Sequence, residues 1–459
     1  KIKISKIYES IRSFKAGKTP GPDRISNYIL KMLPPKALRY ITILFNSIIR
    51  IKYYPTQWKT ARIILIPKPG KDPTQPSSYR PISLLPSISK IFEKIILEQI
   101  VSASKIQSLI PKQQFGFRHK HATIEQVHRV VDLIHKAFHF KEYCVAAFLD
   151  ITQAFDKVWY TGLLVKIRKL LPAHYVMLLE SYLSSRKFFV NYGKADSTTR
   201  PIESGVPQGS VLGPLLYLLY TADIPEAPDT ELAIFADDIV VLAFDQDHNY
   251  ASYLLQNHIS KIEEWMNLWR IRANSTKSVQ VTFMLRNETC PAIKLYNNYI
   301  PLSQSTKYLG IHLDRRLTWK THLSKKRIQL EEKRRQLYWL LGRNSKVTTN
   351  NKILIYKAII KPIWTYGIQL WGSASHSNIE ILQRFQNKVL RQIVNAPRYC
   401  PNWLTHQDLG FSSIQEEIFN FCRRYSEQLK HHPNILARNL LKPMQNKRLK
   451  KRSPTDLIS

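Results

Sequence analysis

The chain has 459 residues, 44% hydrophobic and 11% aromatic, which suits a folded protein of two or three domains and excludes a disordered one. Lys and Arg number 69 against 33 Asp and Glu, and the formal charge of +36 exceeds anything solubility requires, so a polyanionic partner is expected. No apolar run approaches the roughly 18–20 residues of a spanning helix, which sets nucleic acid ahead of an anionic membrane and implies binding that weakens steeply with salt. The four cysteines, Cys144, Cys290, Cys400 and Cys422, are far apart in sequence and include no C-x-x-C pair. Neither a zinc site nor a disulfide framework is expected from them, and a reducing compartment is. There is no visible signal peptide, and the start at Lys1 reads as an excised piece of something longer.

Residues 1–60 are expected to be a mainly helical scaffold. Ile4, Ile7 and Ile11 stand at helical spacing, and Lys18-Thr-Pro-Gly-Pro-Asp23 breaks the pattern with a turn whose Asp23 could cap the next helix. Ile41, Leu44, Phe45, Ile48 and Ile49 mark a second apolar helix. A strand over 61–66 then leads into six prolines between Pro67 and Pro86, which predict a stiff extended loop. Lys68, Lys71 and Arg80 project from it, either gripping phosphates or forming an ordinary solvated cluster, and the loop alone does not choose. After a helix from Ser89 to Leu97, Gln113-Gln-Phe-Gly-Phe-Arg118 interleaves aromatics with a base, an unspecific nucleic-acid surface.

A strand over 145–149 ends on Asp150, and Thr152 to Asp156 is expected to begin a helix carrying Val158, Leu163, Leu164 and Ile167. A carboxylate at the end of a buried strand is a common metal-ligand position, whereas Asp156 serves equally well as a helix-start residue. Ser184 to Tyr192 reads as an edge strand. Glycine is scarce, 14 in all, yet Gly205, Gly209 and Gly213 fall within one short stretch before an apolar helix. Such a loop demands close backbone approach and brings N–H groups near a ligand. In Ala233–Ala243, apolar residues flank Asp237 and Asp238 on both sides, which reads as two buried strands joined at the acid pair. Two ionised carboxylates in that setting are tolerated only if a turn leaves them solvated or a divalent cation such as Mg²⁺ or Mn²⁺ sits there.

A helix over 255–268, a strand over 279–283 and a strand over 308–313 that ends at Asp314 follow. Composition then shifts: from Arg315 to Lys361 there are fourteen Lys or Arg and two acids, Glu331 and Glu332, which favours a phosphate-backbone surface. Leu323, Leu330 and Leu337 mark one apolar helix stripe, and Ile379, Leu382, Phe385, Val389 and Ile393 another. The tail, with Lys442, Lys447, Arg448, Lys450, Lys451 and Arg452, is expected to be mobile and suits nuclear import.

Asp150 and Asp237 at the ends of separate strands, with a glycine loop between them in sequence, suit two metal ions about 3.5–4 Å apart and in-line phosphoryl transfer. At this point the chain resembles reverse transcriptases, and closely those of non-LTR retrotransposons of the insect jockey type. The ordered motifs are Lys18-Thr-Pro-Gly-Pro-Asp23, Ile66-Pro-Lys-Pro-Gly-Lys71 with Ser78-Tyr-Arg-Pro-Ile-Ser-Leu84, Gln114-Phe-Gly-Phe-Arg118, Phe148-Leu-Asp-Ile-Thr-Gln-Ala-Phe-Asp156, Gly205-Val-Pro-Gln-Gly-Ser210, Phe235-Ala-Asp-Asp238 and Tyr308-Leu-Gly310. The family implies an α+β right-hand polymerase. Residues 1–60 would extend the fingers, 61–314 form fingers and palm with an antiparallel palm sheet, and 315–459 form a helical, basic thumb and C-terminal region.

The resemblance also implies roles. Asp150, Asp237 and Asp238 would be the catalytic acids that hold Mg²⁺ (or Mn²⁺), with Asp238 the less constant ligand. Lys68 and Arg80 would contact the dNTP triphosphate, Phe155 would exclude a ribose 2′-hydroxyl, Gln208 would meet the nascent base pair, and Lys277 would lie near the pyrophosphate. Tyr308, Leu309 and Gly310 would form the primer grip. Implied partners are an RNA template, a DNA primer at the target and dNTPs, with no membrane and the oligomeric state left open. Implied localisation is the nucleus at the site of action, after cytoplasmic assembly on RNA, and not secretion. Tyr160, Ile239 and Ser275 stand where His, Thr and Pro are usual in the family, and none removes a metal ligand. Two alternatives stand beside this reading: another RNA-templated polymerase, and a decayed or co-opted nucleic-acid-binding protein.

Overall fold

A computed structural model describes the chain apart from residues 104–105, 194, 445–446 and 459. Its contacts fall into two units, one of Lys1–Pro111, Ile151–Pro225 and Glu264–Ala273, the other of Lys112–Asp150, Glu226–Glu263 and Asn274–Ser459. Neither unit is one continuous segment. The reason lies in the core of the second unit. A single buried cluster there runs from Phe115, Val130 and Phe148 to Trp319, Trp371 and Leu429.

In the first unit the strands are Tyr79–Leu84, Thr60–Pro67, Arg186–Tyr192 and Ala195–Asp196 in that spatial order, with Arg200–Ile202 also paired to Arg186–Tyr192. Thr60–Pro67 pairs antiparallel with Tyr79–Leu84 and parallel with Arg186–Tyr192, so this sheet is mixed. Two expectations change here. The second half of the proline-rich loop is a strand, with Pro81 tolerated because it lies on the sheet's edge. Arg186–Tyr192, expected at an edge, is an interior strand with partners on both sides.

The expected helix at 152–156 is instead a turn, and helix begins at Tyr160. The carbonyls of Phe155 and Val158 accept the N–H groups of Val206 and Gly205, so the glycine loop occupies acceptors a helix would have used. Helices Ile4–Ser13, Asn27–Lys31, Pro35–Ile51 and Ser87–Ala103 form as the apolar spacing predicts. Ser26, not Asp23, caps the second of them, its hydroxyl accepting the Ile29 N–H.

The second unit carries a four-stranded sheet in the order Thr230–Phe235, Asp238–Asp245, Tyr143–Asp150, Val279–Phe283, antiparallel throughout. Cys144 to Leu149 are all buried, as a central strand covered on both faces requires. The strand expected over 308–313 is a hairpin, Ser305–Tyr308 with Ile311–Asp314. Its two turn residues, Leu309 (φ 44°) and Gly310 (φ 83°), both lie in the left-handed region a tight hairpin demands.

Farther along, Lys320–Gln336, His376–Ile393 and Ile414–Lys430 are the longest helices, and both expected stripes turn inward. Leu323, Leu330, Ile379, Leu382, Phe385, Val389 and Ile393 are buried, while Leu337 is half-buried just past a helix end. Part of the basic excess is neutralised locally: Glu331 bonds Arg327 (2.7 Å), Arg334 (2.5 Å) and Lys388 (3.1 Å). The expected mobile tail is tied down where it is described. Arg448 donates to the carbonyls of Phe138 and His139, and Thr455 is buried beside His128. Among the described residues no helix is long and apolar enough to cross a membrane, and all four cysteines are free.

Glu93 shows how the first unit tolerates a buried acid. Its Oε2 accepts the N–H groups of Val211 (2.8 Å) and Leu212 (3.2 Å) at the start of the Gly213–Tyr220 helix, and its Oε1 accepts the Tyr54 hydroxyl (3.2 Å). Burial raises its pKa even so. Glu93→Ala strands three buried donors and is expected to lower the unfolding free energy by about 2–3 kcal/mol in urea melts. A loss within the noise of the melts would show that these donors find other partners.

Candidate active site

The apolar strands Tyr143–Asp150 and Asp238–Asp245 run antiparallel with Asp150 directly opposite Asp238. Asp238 also pairs with Phe235, so Ala236 and Asp237 alone make the turn between neighbouring strands. Three carboxylates thus gather at one end of a dry sheet, and all three residues reach solvent. The turn is strained, since Ala236 has φ 59°, a conformation that glycine adopts more readily.

Gln114 holds that turn in place. Its buried side chain accepts the N–H groups of Ala236 (2.9 Å) and Gly116 (2.7 Å) through Oε1. Phe115 N–H donates to Ile234 O, and Ile234 N–H to Gln113 O, so this segment extends the sheet beside the acid pair. A Cβ on Gly116 would lie 2.2 Å from the Ala236 nitrogen. The stretch 113–118, expected as a nucleic-acid surface, is chiefly a clasp on the turn that carries Asp237: Phe115 is fully buried, and only Phe117 keeps a largely exposed ring.

Burial, and then the nearby Asp150, raise the pKa of Asp237. Asp238 is pushed up to about 6 by burial together with Asp237 and Asp150. Mutual repulsion of this kind is relieved by a cation. Among the described residues no group of three or more His, Cys, Asp or Glu forms a ready-made metal cage. The carboxylate oxygens of Asp150, Asp237 and Asp238 are donors of the kind Mg²⁺ takes, an ion held by one or two carboxylates plus waters and substrate phosphates. The donor set therefore fits the ion.

Lys277 stands exposed on a loop pinned to the same strand end. Asn274 N–H donates to Asp150 O (2.8 Å), Asp150 N–H donates to Ser278 Oγ (3.2 Å), and Asn274 Oδ1 accepts the Thr276 and Lys277 N–H groups. Tyr308 is buried, its ring edge-on to Phe148 at 5.6 Å, so it packs against the sheet. Leu309 and Gly310 remain half-buried at the hairpin tip, where the Tyr366 hydroxyl donates to Leu309 O (2.6 Å).

The remaining predicted residues belong to the first unit. Phe155 stacks on Tyr217 with centroids 4.7 Å apart, and its carbonyl accepts the Val206 N–H. Gly209, at φ 125°, has no room for a side chain, since a Cβ would meet Ser83 O at 2.5 Å. Gln208 O accepts the Ser83 N–H (2.8 Å), joining the glycine loop to the Tyr79–Leu84 strand. Arg80 is exposed on that strand opposite Ile66, whereas Lys68 turns its ammonium onto Ser77 O (2.8 Å). A cavity of about 310 Å³ lies beneath, lined by Ile63, Leu65, Ser83, Phe188, Asp156 and Gln208 among others. From the sequence, Gln114 has no part of its own and Asp156 only that of a helix-start residue, although both lie in motifs that carry the resemblance.

Residues 66–313 match the family described as reverse transcriptase (RNA-dependent DNA polymerase). The chain is 46% identical over 96% of its length to a probable RNA-directed DNA polymerase from transposon X-element of Drosophila melanogaster, covering 49% of that protein. It is 41% identical to the probable RNA-directed DNA polymerase from transposon BS of the same organism, over 98% of this chain and 51% of that one. To the RNA-directed DNA polymerase from mobile element jockey, again of Drosophila melanogaster, it is 38% identical over 99% of this chain and 52% of the relative. The chain thus spans about half the length of the curated relatives it matches. A solved apo telomerase from Candida tropicalis is 15% identical with a TM-score of 0.37 over 60% of this chain and 58% of that one, too loose a likeness to carry an argument.

The acid cluster has a measurable cost. Asp238 titrates near 6 in the folded chain against 3.8 ordinarily, so between those values the folded state binds the extra proton. The stability this group contributes is present below about pH 4 and lost as pH rises through about 6. In metal-free buffer, Asp238→Asn is expected to raise stability at neutral pH by about 1 kcal/mol, allowing for solvent screening, and to flatten the melting profile between those limits. Superimposable profiles for parent and variant would remove the like-charge penalty.

Proposed function

The chain belongs to the reverse transcriptase (RNA-dependent DNA polymerase) family, and on that premise we propose that it is the polymerase portion of a non-LTR retrotransposon protein. Its reaction is RNA-directed DNA synthesis, copying element RNA from a primer at the target site. The observation that carries this is the pairing of Asp150 with Asp238 across two buried strands, with Asp237 in the two-residue turn beside them. An RNA template, a DNA primer and dNTPs are the partners, and the +36 charge supports the two polyanions among them. Action on chromosomal DNA places the working protein in the nucleus, after assembly on RNA in the cytoplasm.

Asp150 and Asp237 would hold Mg²⁺ (or Mn²⁺), with Asp238 completing the acid set. When bound, such an ion lowers the pKa of a primer 3′-hydroxyl and offsets charge on the triphosphate. Other side chains would bind and orient the substrates. Arg80 and Lys68 are the cations for the triphosphate, and Lys68 would leave Ser77 O to reach it. Lys277 meets the leaving pyrophosphate from a loop whose hydrogen bonds to Asp150 fix its distance from the acids. Phe155, braced by Tyr217, forms a wall where a ribose 2′-hydroxyl would otherwise lie. Gln208 meets the new base pair. The tip Leu309–Gly310, with Tyr308 beneath it, guides the primer end, and residues 315–459 act as the thumb on the duplex while 1–314 supply fingers and palm.

Primer extension on an RNA template with dNTPs and Mg²⁺ tests the reading. The parent chain is expected to extend, and Asp237→Asn to lose nearly all synthesis while still binding RNA at low salt. Equal extension by both would take the acid cluster out of the mechanism. If neither extends and both bind RNA, the chain is a binding protein. Phe155→Ala is expected to raise the use of rNTPs relative to dNTPs by roughly 10-fold or more, read as a ratio of kcat/KM values. An unchanged ratio would place sugar discrimination elsewhere.

A further inference from the structure

Asp156 has no part in the roles given above. It follows Phe155 in the turn, and its carboxylate accepts two hydrogen bonds from Nε2 of Gln208, 3.0 Å to Oδ1 and 3.1 Å to Oδ2. Backbone contacts hold the two segments together around this pair. Gly205 N–H donates to Val158 O (2.9 Å), Val206 N–H to Phe155 O (2.8 Å), and the Ser204 hydroxyl to Asp156 O (3.2 Å). Gly205 has no space for a Cβ, which would lie 2.6 Å from Asp156 O. With Gln208 O already taken by the Ser83 N–H, the glutamine is fixed at its backbone by one segment and at its side chain by another.

An ionised carboxylate only accepts, whereas a primary amide has one donating and one accepting end. Asp156 therefore decides which way the amide faces, with nitrogen turned to the acid and Oε1 left as the acceptor. Without the acid the two orientations differ little, because the terminal torsion of glutamine is broad and nearly two-fold. The bond is charge-assisted, stronger than a neutral pair.

We propose that Asp156 is a positioning residue for Gln208, turning its amide so that Oε1 is presented as an acceptor to a donor group on the incoming nucleotide. The ligand in this statement rests on the polymerase reading; the orientation of the amide does not. Asp156 touches no substrate and acts through Gln208 alone.

A double-mutant cycle on the full chain separates this role from a structural one. Asp156→Ala is expected to raise the KM for dNTP roughly fivefold or more with little change in kcat, and to add nothing in a Gln208→Ala background. Asp156→Asn keeps the volume but offers a donor as well as an acceptor, so its KM should fall between parent and alanine variant. Additive penalties from Asp156→Ala and Gln208→Ala would overturn the proposal while leaving the polymerase reading intact. A second measurement needs no activity. The side-chain amide protons of Gln208, identified by their absence in Gln208→Ala, should exchange with solvent several-fold faster in Asp156→Ala and Asp156→Asn than in the parent. Unchanged exchange in both variants would also overturn it. A parent chain that extends no primer would defeat the polymerase reading, and the exchange rates would still decide the orientation.

Discussion

Everything in the acid cluster depends on the register between Tyr143–Asp150 and Asp238–Asp245. A slip of one residue would turn every side chain of a strand to the opposite face of the sheet and break the facing of Asp150 and Asp238. Apolar burial fixes that register. Cys144 to Leu149 and Ile239 to Ala243 are buried without interruption, so any slip drives a carboxylate toward the core. The acids emerge only where the apolar run stops. The two-residue turn, the Gln114 clasp and the absent side chain at Gly116 then hold Asp237 at that boundary.

Several features around the site oppose stability. Like charges raise each other's pKa values at Asp237 and Asp238, and Ala236 sits at a backbone angle that favours glycine. The extensive buried cluster beneath, from Phe148 to Trp371, offsets them. In the first unit, by contrast, the buried Glu93 and the exposed Asp156 each have well-matched donors, so the carboxylates there tighten loops instead of loosening them.

How much of this could be read in advance follows from the distance over which each residue finds its partner. The strands around Asp150 and the acid pair were legible because their apolar runs end abruptly on carboxylates, and the glycine loop because glycine is scarce elsewhere. The 152–156 helix failed because its carbonyls are claimed by Gly205 and Val206, roughly fifty residues later in the chain. Gln114 meets Ala236 across 122 positions and Asp156 meets Gln208 across 52, and the motifs that contain the two residues do not say which distant partner each one finds. Tyr308 to Leu313 lacks the Asn-Gly or Asp-Gly signature of a tight turn, so its hairpin passed for one strand. Pro81 argued for a loop because a sequence does not say which strand of a sheet will be the outermost.

That outermost strand has a bearing on how copies of the protein behave toward one another. Register alternation leaves Tyr79, Pro81 and Ser83 with their nitrogens facing away from Thr60–Pro67. Tyr79 N–H is spent on Pro76 O, Pro81 has none, and Ser83 N–H is spent on Gln208 O. The rim therefore offers a second chain no donor to pair with. A free protein of charge +36 is kept from its neighbours by repulsion, but a bound polyanion cancels that repulsion. The donor-less rim does not depend on that charge, so edge-to-edge pairing is disfavoured even where the repulsion is cancelled.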